Sequence, residues 1–213
     1  MMKYKLVIFD WDGTLMDSIA RIVSSLQSSA RVCQVPVPSS EQVRSIIGLS
    51  LPEVMDKLFP EHKNYHQQLI VHYKDQYINM DTTETPLFDG VEALLKKLKS
   101  NNCQLAIATG KSRKGLDRLL ALTGLTDYFA VTQSADEAQS KPSPQMLSQI
   151  LAHTQLTTKD AVMIGDSKLD LEMALNIGMD SIGVTFGAGN RKALSVYKPV
   201  AIVDRFSELD MYL

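Results

Sequence analysis

The chain has 213 residues, 45% of them apolar and 22% charged, the balance of a globular protein long enough for one large domain or a core with a modest insertion. Its 22 basic residues stand against 24 acidic ones, a net charge of -2, so nothing in the charge balance calls for nucleic acid or an anionic membrane as partner. No apolar run approaches a bilayer span and the segment before Asp10 lacks the long apolar stretch of a secretory signal, so a cytoplasmic protein is expected.

In chain order, the first predicted element is an apolar strand, KLVIFD (Lys5–Asp10), which runs into the turn DWDGT. Asp10 and Asp12 stand at alternate positions, a period that sends both side chains to one side and Trp11 to the other. Gly13 supplies a tight turn and Thr14 a hydroxyl to hold the loop. Like charges ~4 Å apart cost about 4 kcal/mol at an effective dielectric near 20, so two such acids call for a cation or a shared proton. From Asp17 to Thr85 the pattern is helical throughout: Ser18–Val35, Ser40–Ile47, Pro52–Phe59 and His62–Met80. The last of these carries Leu69, Tyr73, Tyr77 and Met80 on one face. A block of this length exceeds any ordinary loop and predicts a helical cap, residues 17–84, inserted into a core formed by residues 1–16 and 85–213. His62 and His66 have ligand-like spacing, but their polar neighbours predict a solvated face. Cys33 and Cys103 lie far apart and read as reduced thiols.

The core resumes with a helix that places Val91, Leu94, Leu95 and Leu98 on one face. The strand LAIAT (Leu105–Thr109) then delivers Thr109 and Gly110, a hydroxyl and backbone N–H groups at a helix start, which is anion-binding geometry. After the strand YFAVT (Tyr128–Thr132), the segment SKPSP sets Lys141 as a fixed cation in a rigid loop, ahead of a helix capped by Ser143. The strand AVMIGD ends at Asp166, and Asp170 follows four positions later, sharing a face with it if a helix starts there. SIGVTF (Ser181–Phe186) and AIVD (Ala201–Asp204) are the remaining strands. Between them GAGN (Gly187–Asn190) lacks the third glycine of a dinucleotide fingerprint and reads as a turn. Nearly continuous apolar strands alternating with helices predict a doubly wound, mainly parallel α/β sheet. Acids, hydroxyl and ammonium then converge on its C-terminal edge, where open α/β sheets bind ligands. Four carboxylates without cysteine or histidine suit a hard cation such as magnesium rather than zinc.

DWDGT, ATG, KP and GDSKLD, in this order, resemble the four motifs of the haloacid dehalogenase superfamily, and the match extends along the whole chain. Within that superfamily the chain most resembles the phosphoglycolate phosphatase and β-phosphoglucomutase branch. The resemblance implies a magnesium-dependent phosphatase in which Asp10 attacks phosphorus and Asp12 serves as acid and then base. It places Mg2+ between an Asp10 oxygen, the Asp12 backbone carbonyl and Asp166, with Asp170 behind them orienting a bound water or Lys141. Thr109 and the Gly110 amide would hold phosphate oxygens, and Lys141 would balance charge. The expected partner is a small phosphorylated metabolite, 2-phosphoglycolate first, and the expected state a monomer or weak homodimer.

A phosphosugar mutase shares these motifs and is the alternative. A dehalogenase would lack Asp12, and a receiver domain would carry its acceptor aspartate after a later strand with no insertion. Two departures stand out: Trp11 replaces the usual aliphatic residue, and Gly110 stands where many relatives carry asparagine. The Gly48–Pro52 loop is expected to face the site with Ser50 as its only side-chain donor, which favours a sugar-poor substrate. Arg21, Arg44 and Lys57 are the candidates to meet a carboxylate or a second phosphate on it.

Overall fold

The short apolar runs form the centre of the molecule. In the computed structural model, which describes residues 2–213, they become β1 (Leu6–Phe9), β2 (Gln104–Ala108), β3 (Val131–Gln133), β4 (Ala161–Gly165), β5 (Asp180–Val184) and β6 (Ala201–Val203). Their order in the sheet is β3-β2-β1-β4-β5-β6, and every pairing is parallel. β1 and β4 are buried throughout, which explains their lack of polar alternation: both faces of the sheet are covered. Val7 and Phe9 pack with Leu94, Leu95 and Leu98 of α5 (Val91–Ser100) on one face. Leu6 and Ile8 pack with Met146, Leu147 and Ile150 of α7 (Gln145–Thr154) on the other. Burial of each such side chain stabilises the fold by roughly 1.5–3 kcal/mol. Cys33 and Cys103 are free, buried, and in different apolar clusters.

The chain first builds β2 and β3 outward on one side of β1, then crosses over to add β4, β5 and β6 on the other. The direction of winding therefore reverses between β1 and β4. At such a switch point the following loops diverge and leave a crevice at the strands' C-terminal ends.

Between β1 and α5 lie only helices: α1 (Ile19–Val32), α2 (Ser40–Arg44), α3 (Leu51–Leu58) and α4 (His66–Asp75), with short irregular turns. Their apolar faces, including Ile22, Leu26, Met55, Leu69 and Tyr77, form a separate cluster that Leu169 joins from outside the segment. The two connections to the sheet run side by side, with Asp17 N–H donating to Pro86 O (2.8 Å) and Phe88 N–H to Leu15 O (3.0 Å).

Some expected boundaries shift. The single helix predicted over His62–Met80 is interrupted: Pro60–Tyr65 is a tight turn in which His62 leaves helical geometry (φ -124°, ψ 37°). His66 is not merely solvated, because its Nε2 bonds Phe59 O at 2.9 Å across that break. After α4 the backbone widens, with Asp81 N–H donating to Gln76 O at 2.8 Å. β3 begins at Val131 rather than Tyr128, since the rings of Tyr128 and Phe129 pack onto the α5 side of the core. The predicted Ser143 cap also moves: the residue preceding α7 is Pro144, while Ser143 Oγ accepts from Gln145 N–H at 3.4 Å and donates to Gln139 Oε1.

Candidate active site

Asp10 is fixed at the end of β1 by its own N–H, which donates to Ile164 O of β4 at 2.9 Å. Trp11 turns into the core and its indole N–H reaches Met16 Sδ at 3.3 Å. Gly13 sits at φ +76°, and a Cβ there would run into the Asp166 carboxylate, so glycine is required for both conformation and space.

Asp166, fully buried at the end of β4, is held from two sides. Thr14 Oγ1 donates to its Oδ1 (3.2 Å), and Ala188 N–H donates to its Oδ2 (2.5 Å). The GAGN segment is thus more than a turn: a Cβ on Gly187 would overlap the Asp166 side chain, and the loop after β5 forms one wall of the site. Asp166 also does not share a helix face with Asp170. α8 (Lys168–Leu175) starts beyond it, capped by Ser167, whose N–H (3.1 Å) and hydroxyl (2.6 Å) both donate to Asp170 Oδ2. This reciprocal cap aims Asp170 back toward the strand ends.

Lys141 is buried completely in the loop before α7, its peptide bond to Pro142 cis. Its ammonium lies 2.7 Å from Asp10 Oδ1 and 2.6 Å from Asp170 Oδ1. Asp12 looks elsewhere: its Oδ1 accepts from Ser18 Oγ at 2.5 Å and pairs with Lys111 Nζ at 3.0 Å. Each acid of DWDGT therefore has its own lysine, in place of one counter-charge shared between the two.

The electrostatics of the inner group are unbalanced. Asp10, Asp166 and Asp170 each offer an oxygen within 4.8 Å of the others, and Lys141 is the cation among them. Burial pushes the Asp10 carboxyl up to about 7, against the pull of Lys141 and with help from Asp170 and Asp12. Asp166 is also pushed well above the carboxylate range, by burial first and then by Asp170 and Asp10. Burial works against the Lys141 ammonium, but Asp10 and Asp170 outweigh it and hold it above its ordinary value. Asp10 Oδ1 is buried and, despite its closeness to Lys141, lacks a hydrogen bond of good geometry. An all-oxygen set with surplus negative charge and an under-satisfied carboxylate fits a hard divalent cation.

Thr109 ends β2, its N–H donating to Gln133 O (3.0 Å). Its hydroxyl accepts from Lys111 N–H (3.2 Å), which leaves the hydroxyl proton free to donate into the crevice. Gly110 is not at a helix start, as the sequence suggested. α6 (Arg113–Thr123) begins after Ser112, whose Oγ accepts from Gly115 N–H. The expected Gly48–Pro52 loop is shorter, since Leu51 and Pro52 already belong to α3; a Cβ on Gly110 would meet Gly48 O and come within 2.6 Å of Leu49 O, so the Gly48–Ser50 turn rests directly on it. That loop is tied to the Lys141 segment by Ser50 N–H donating to Ser140 Oγ at 2.9 Å.

Of the three cations expected to meet a substrate carboxylate, Arg44 and Lys57 are exposed and Arg21 is half-buried with its guanidinium 5.8 Å from the Tyr77 ring centre. Sequence reading missed Lys111, Ser18, Ser167 and Ala188. Lys111 alone carried a signal, its place next to Thr109 and Gly110.

The family profile described as haloacid dehalogenase-like hydrolase matches residues 7–184. The chain is 33% identical to "Probable phosphatase IndB" of Dickeya dadantii (strain 3937), across 96% of this chain and 91% of that protein. It is 27% identical to a phosphoglycolate phosphatase of Vibrio parahaemolyticus, across 96% and 94% of the two chains. The crystal structure of a predicted phosphatase from Clostridium acetobutylicum superposes with a TM-score of 0.86 at 28% identity, covering 99% of this chain and 98% of that one. The matched span begins in β1 and ends with β5, taking in Asp10, Thr109, Lys141 and Asp166 together, and the chain belongs to the haloacid dehalogenase-like hydrolase family.

Proposed function

We propose that this protein is a magnesium-dependent phosphatase that hydrolyses a small phosphate monoester, 2-phosphoglycolate being the first candidate, through an aspartyl phosphate on Asp10. The observation that carries this reading is the state of Asp10: a buried carboxylate at the sheet's switch point, beside one fixed ammonium and a second acid, with an oxygen that no donor properly claims. The names of the relatives from Dickeya and Vibrio support the same reaction class.

Each residue then has a defined task. An Asp10 oxygen forms a bond to phosphorus while the bond to the ester oxygen breaks, and Asp12 gives that oxygen its proton. Water next attacks the aspartyl phosphate, its proton passing to Asp12, and the Asp10–phosphorus bond breaks. Thr109 Oγ1, the Gly110 N–H and Lys141 hold phosphate oxygens and stabilise the charge that moves during transfer. Asp10, Asp166 and the Asp12 backbone carbonyl would hold the magnesium ion, with Asp170 behind them fixing Lys141; when bound, the ion neutralises the acids and polarises the phosphoryl group. The helical segment, residues 17–84, acts as a cap, and its Gly48–Ser50 turn closes the crevice over Gly110.

The metal assignment has a test that does not depend on turnover. The Asp10 carboxyl is raised from 3.8 to about 7, so the folded protein retains a proton that the unfolded chain has lost. Its contribution to stability is fully present below about pH 4 and is lost as pH rises toward 7 in the metal-free protein. Magnesium displaces that proton. The magnesium-induced rise in Tm is therefore expected to be larger at pH 7.5 than at pH 5, and a folded protein with no rise at either pH would remove the metal from the site.

Hydrolysis rather than phosphoryl transfer to a second sugar is favoured by the closing loop. It meets the core through the carbonyls of Gly48 and Leu49, and the Ser50 N–H is already committed to Ser140. A sugar's several hydroxyls would each need a polar partner on burial. With magnesium present, 2-phosphoglycolate is expected to release phosphate. β-Glucose 1-phosphate with catalytic glucose 1,6-bisphosphate is expected to yield little glucose 6-phosphate, and efficient isomerisation without phosphate release would make the protein a mutase.

A further inference from the structure

Lys111 has no part in the chemistry above, yet it is the second lysine of the crevice. Its ammonium ends at Asp12, not Asp10: Nζ lies 3.0 Å from Asp12 Oδ1, and each side chain is 11% exposed. On its other side it meets the helical cap, 3.5 Å from Tyr77 Oη and 4.8 Å from the centre of the Tyr77 ring. That ring stacks obliquely on Tyr73 at 5.9 Å and has the Arg21 guanidinium 5.8 Å from its centre. Arg21 Nε is itself buried without a hydrogen-bond partner. Lys111 is therefore enclosed between Asp12 and Tyr77, with Tyr73 and Arg21 set against the Tyr77 ring.

Asp12 marks the leaving-group side of the crevice, because it is the acid assigned to the ester oxygen. An oxygen hydrogen-bonded at about 2.7 Å to Asp12 Oδ1, the oxygen that faces Lys111, sits within about 6 Å of Lys111 Nζ. A carboxylate on the carbon next to that oxygen can bridge the remaining gap and meet the ammonium directly. A buried ammonium demands such a partner, and here it has one carboxylate, which Ser18 also engages. The tyrosine face supports the cation without competing for the anion.

We propose that Lys111 is a specificity-determining residue that reads a carboxylate on the leaving group, held in place by Tyr77. The protein thereby selects small phosphate monoesters whose alcohol is a 2-hydroxy acid. This rests on the phosphatase reading and sharpens it, because Arg21, Arg44 and Lys57 were the cations that the sequence offered for the task.

The test compares two nearly isosteric esters, 2-phosphoglycolate and isobutyl phosphate, by kcat/KM in magnesium buffer. Wild type is expected to favour the carboxylate ester by about 100-fold, the scale of losing one partner of a desolvated charge pair. In K111M this ratio is expected to collapse toward unity, with the rise in KM for 2-phosphoglycolate carrying the change and K111R recovering part of it. K111Q, which keeps a donor for Asp12 without the charge, is measured in parallel and should show the same selective loss, so misfolding of one variant does not decide the matter. Equal losses on both esters, or no preference in wild type, would overturn the assignment while leaving the phosphatase intact. Failure of wild type to hydrolyse any phosphate monoester would instead overturn the phosphatase reading and this assignment with it.

Discussion

Asp10→Asn is expected to abolish turnover, a loss on the order of 10^4-fold or more, of the kind seen when a nucleophile is removed from an otherwise complete site. The amide nearly matches the carboxylate in shape, and the backbone N–H that fixes residue 10 to Ile164 O is untouched, so the fold should survive. Stability should even gain at neutral pH. The wild-type side chain is a buried acid whose ionisation is opposed by burial, Asp170 and Asp12, and the variant has no charge there to oppose. The metal-free variant is thus expected to melt at or above wild type at pH 7.5. Beryllium fluoride with magnesium, a mimic of the aspartyl phosphate, should raise the Tm of wild type and leave that of the variant unmoved. Activity within about tenfold of wild type would place the nucleophile elsewhere.

Much of this could be read from the amino acids, for a specific physical reason. Strands buried on both faces must be apolar along their whole length, and each abrupt end of such a run, at Asp10, Thr109 and Asp166, marks the edge where a parallel sheet opens. Strand position was therefore legible, and with it the convergence of residues far apart in the chain. Helix breaks were less so. The apolar stripe runs from Leu69 to Tyr77, inside the widened turn at Gln76–Met80, while Met80, expected on the same face, is exposed; a face pattern does not register a change in hydrogen-bond spacing.

Loop geometry was the least visible. Asp166 and Asp170 meet because Ser167 caps α8 and turns Asp170 back, a relation that spacing alone renders as two acids on one helix face. The role of GAGN depends on the close approach of Gly187 to Asp166, and Gly110 is where the backbone of Gly48 and Leu49 rests. A glycine that makes room for a distant backbone looks in sequence like any other turn glycine. Lys111 was passed over for a related reason. Its partners, Asp12 and Tyr77, belong to the turn after β1 and to the helical segment that follows, and only their meeting in the fold shows that the side chain is enclosed.

Lys141→Met tests the charge ledger of the inner site. Methionine fills a similar length but leaves Asp10 and Asp170, now 2.7 Å and 2.6 Å from the ammonium, facing each other and Asp166 without a cation. Lys141 is held above its ordinary value once Asp10 and Asp170 have overcome the cost of burial, so its contribution is fully present at any pH below the ordinary lysine range. Removing one partner of such a buried group costs about 3–5 kcal/mol. For a chain of this size that corresponds to a fall in Tm of about 10 °C at pH 7.5 without magnesium. The deficit should shrink as pH falls toward about 7, because Asp10, no longer held down by Lys141, takes up its proton at a higher pH in the variant than in wild type. Turnover should fall by about 10^3-fold at any pH, because the fixed cation on the transferring phosphoryl group is gone. Adding Asp170→Asn to the variant separates the two effects. Asp170 receives the Ser167 cap at Oδ2 and Lys141 at Oδ1, and an amide can keep the first while losing the unpaired charge of the second. The double variant should therefore regain most of the lost Tm and none of the lost turnover. If it regains both, Lys141 serves only to neutralise Asp170, and its contact with phosphate is not part of the reaction.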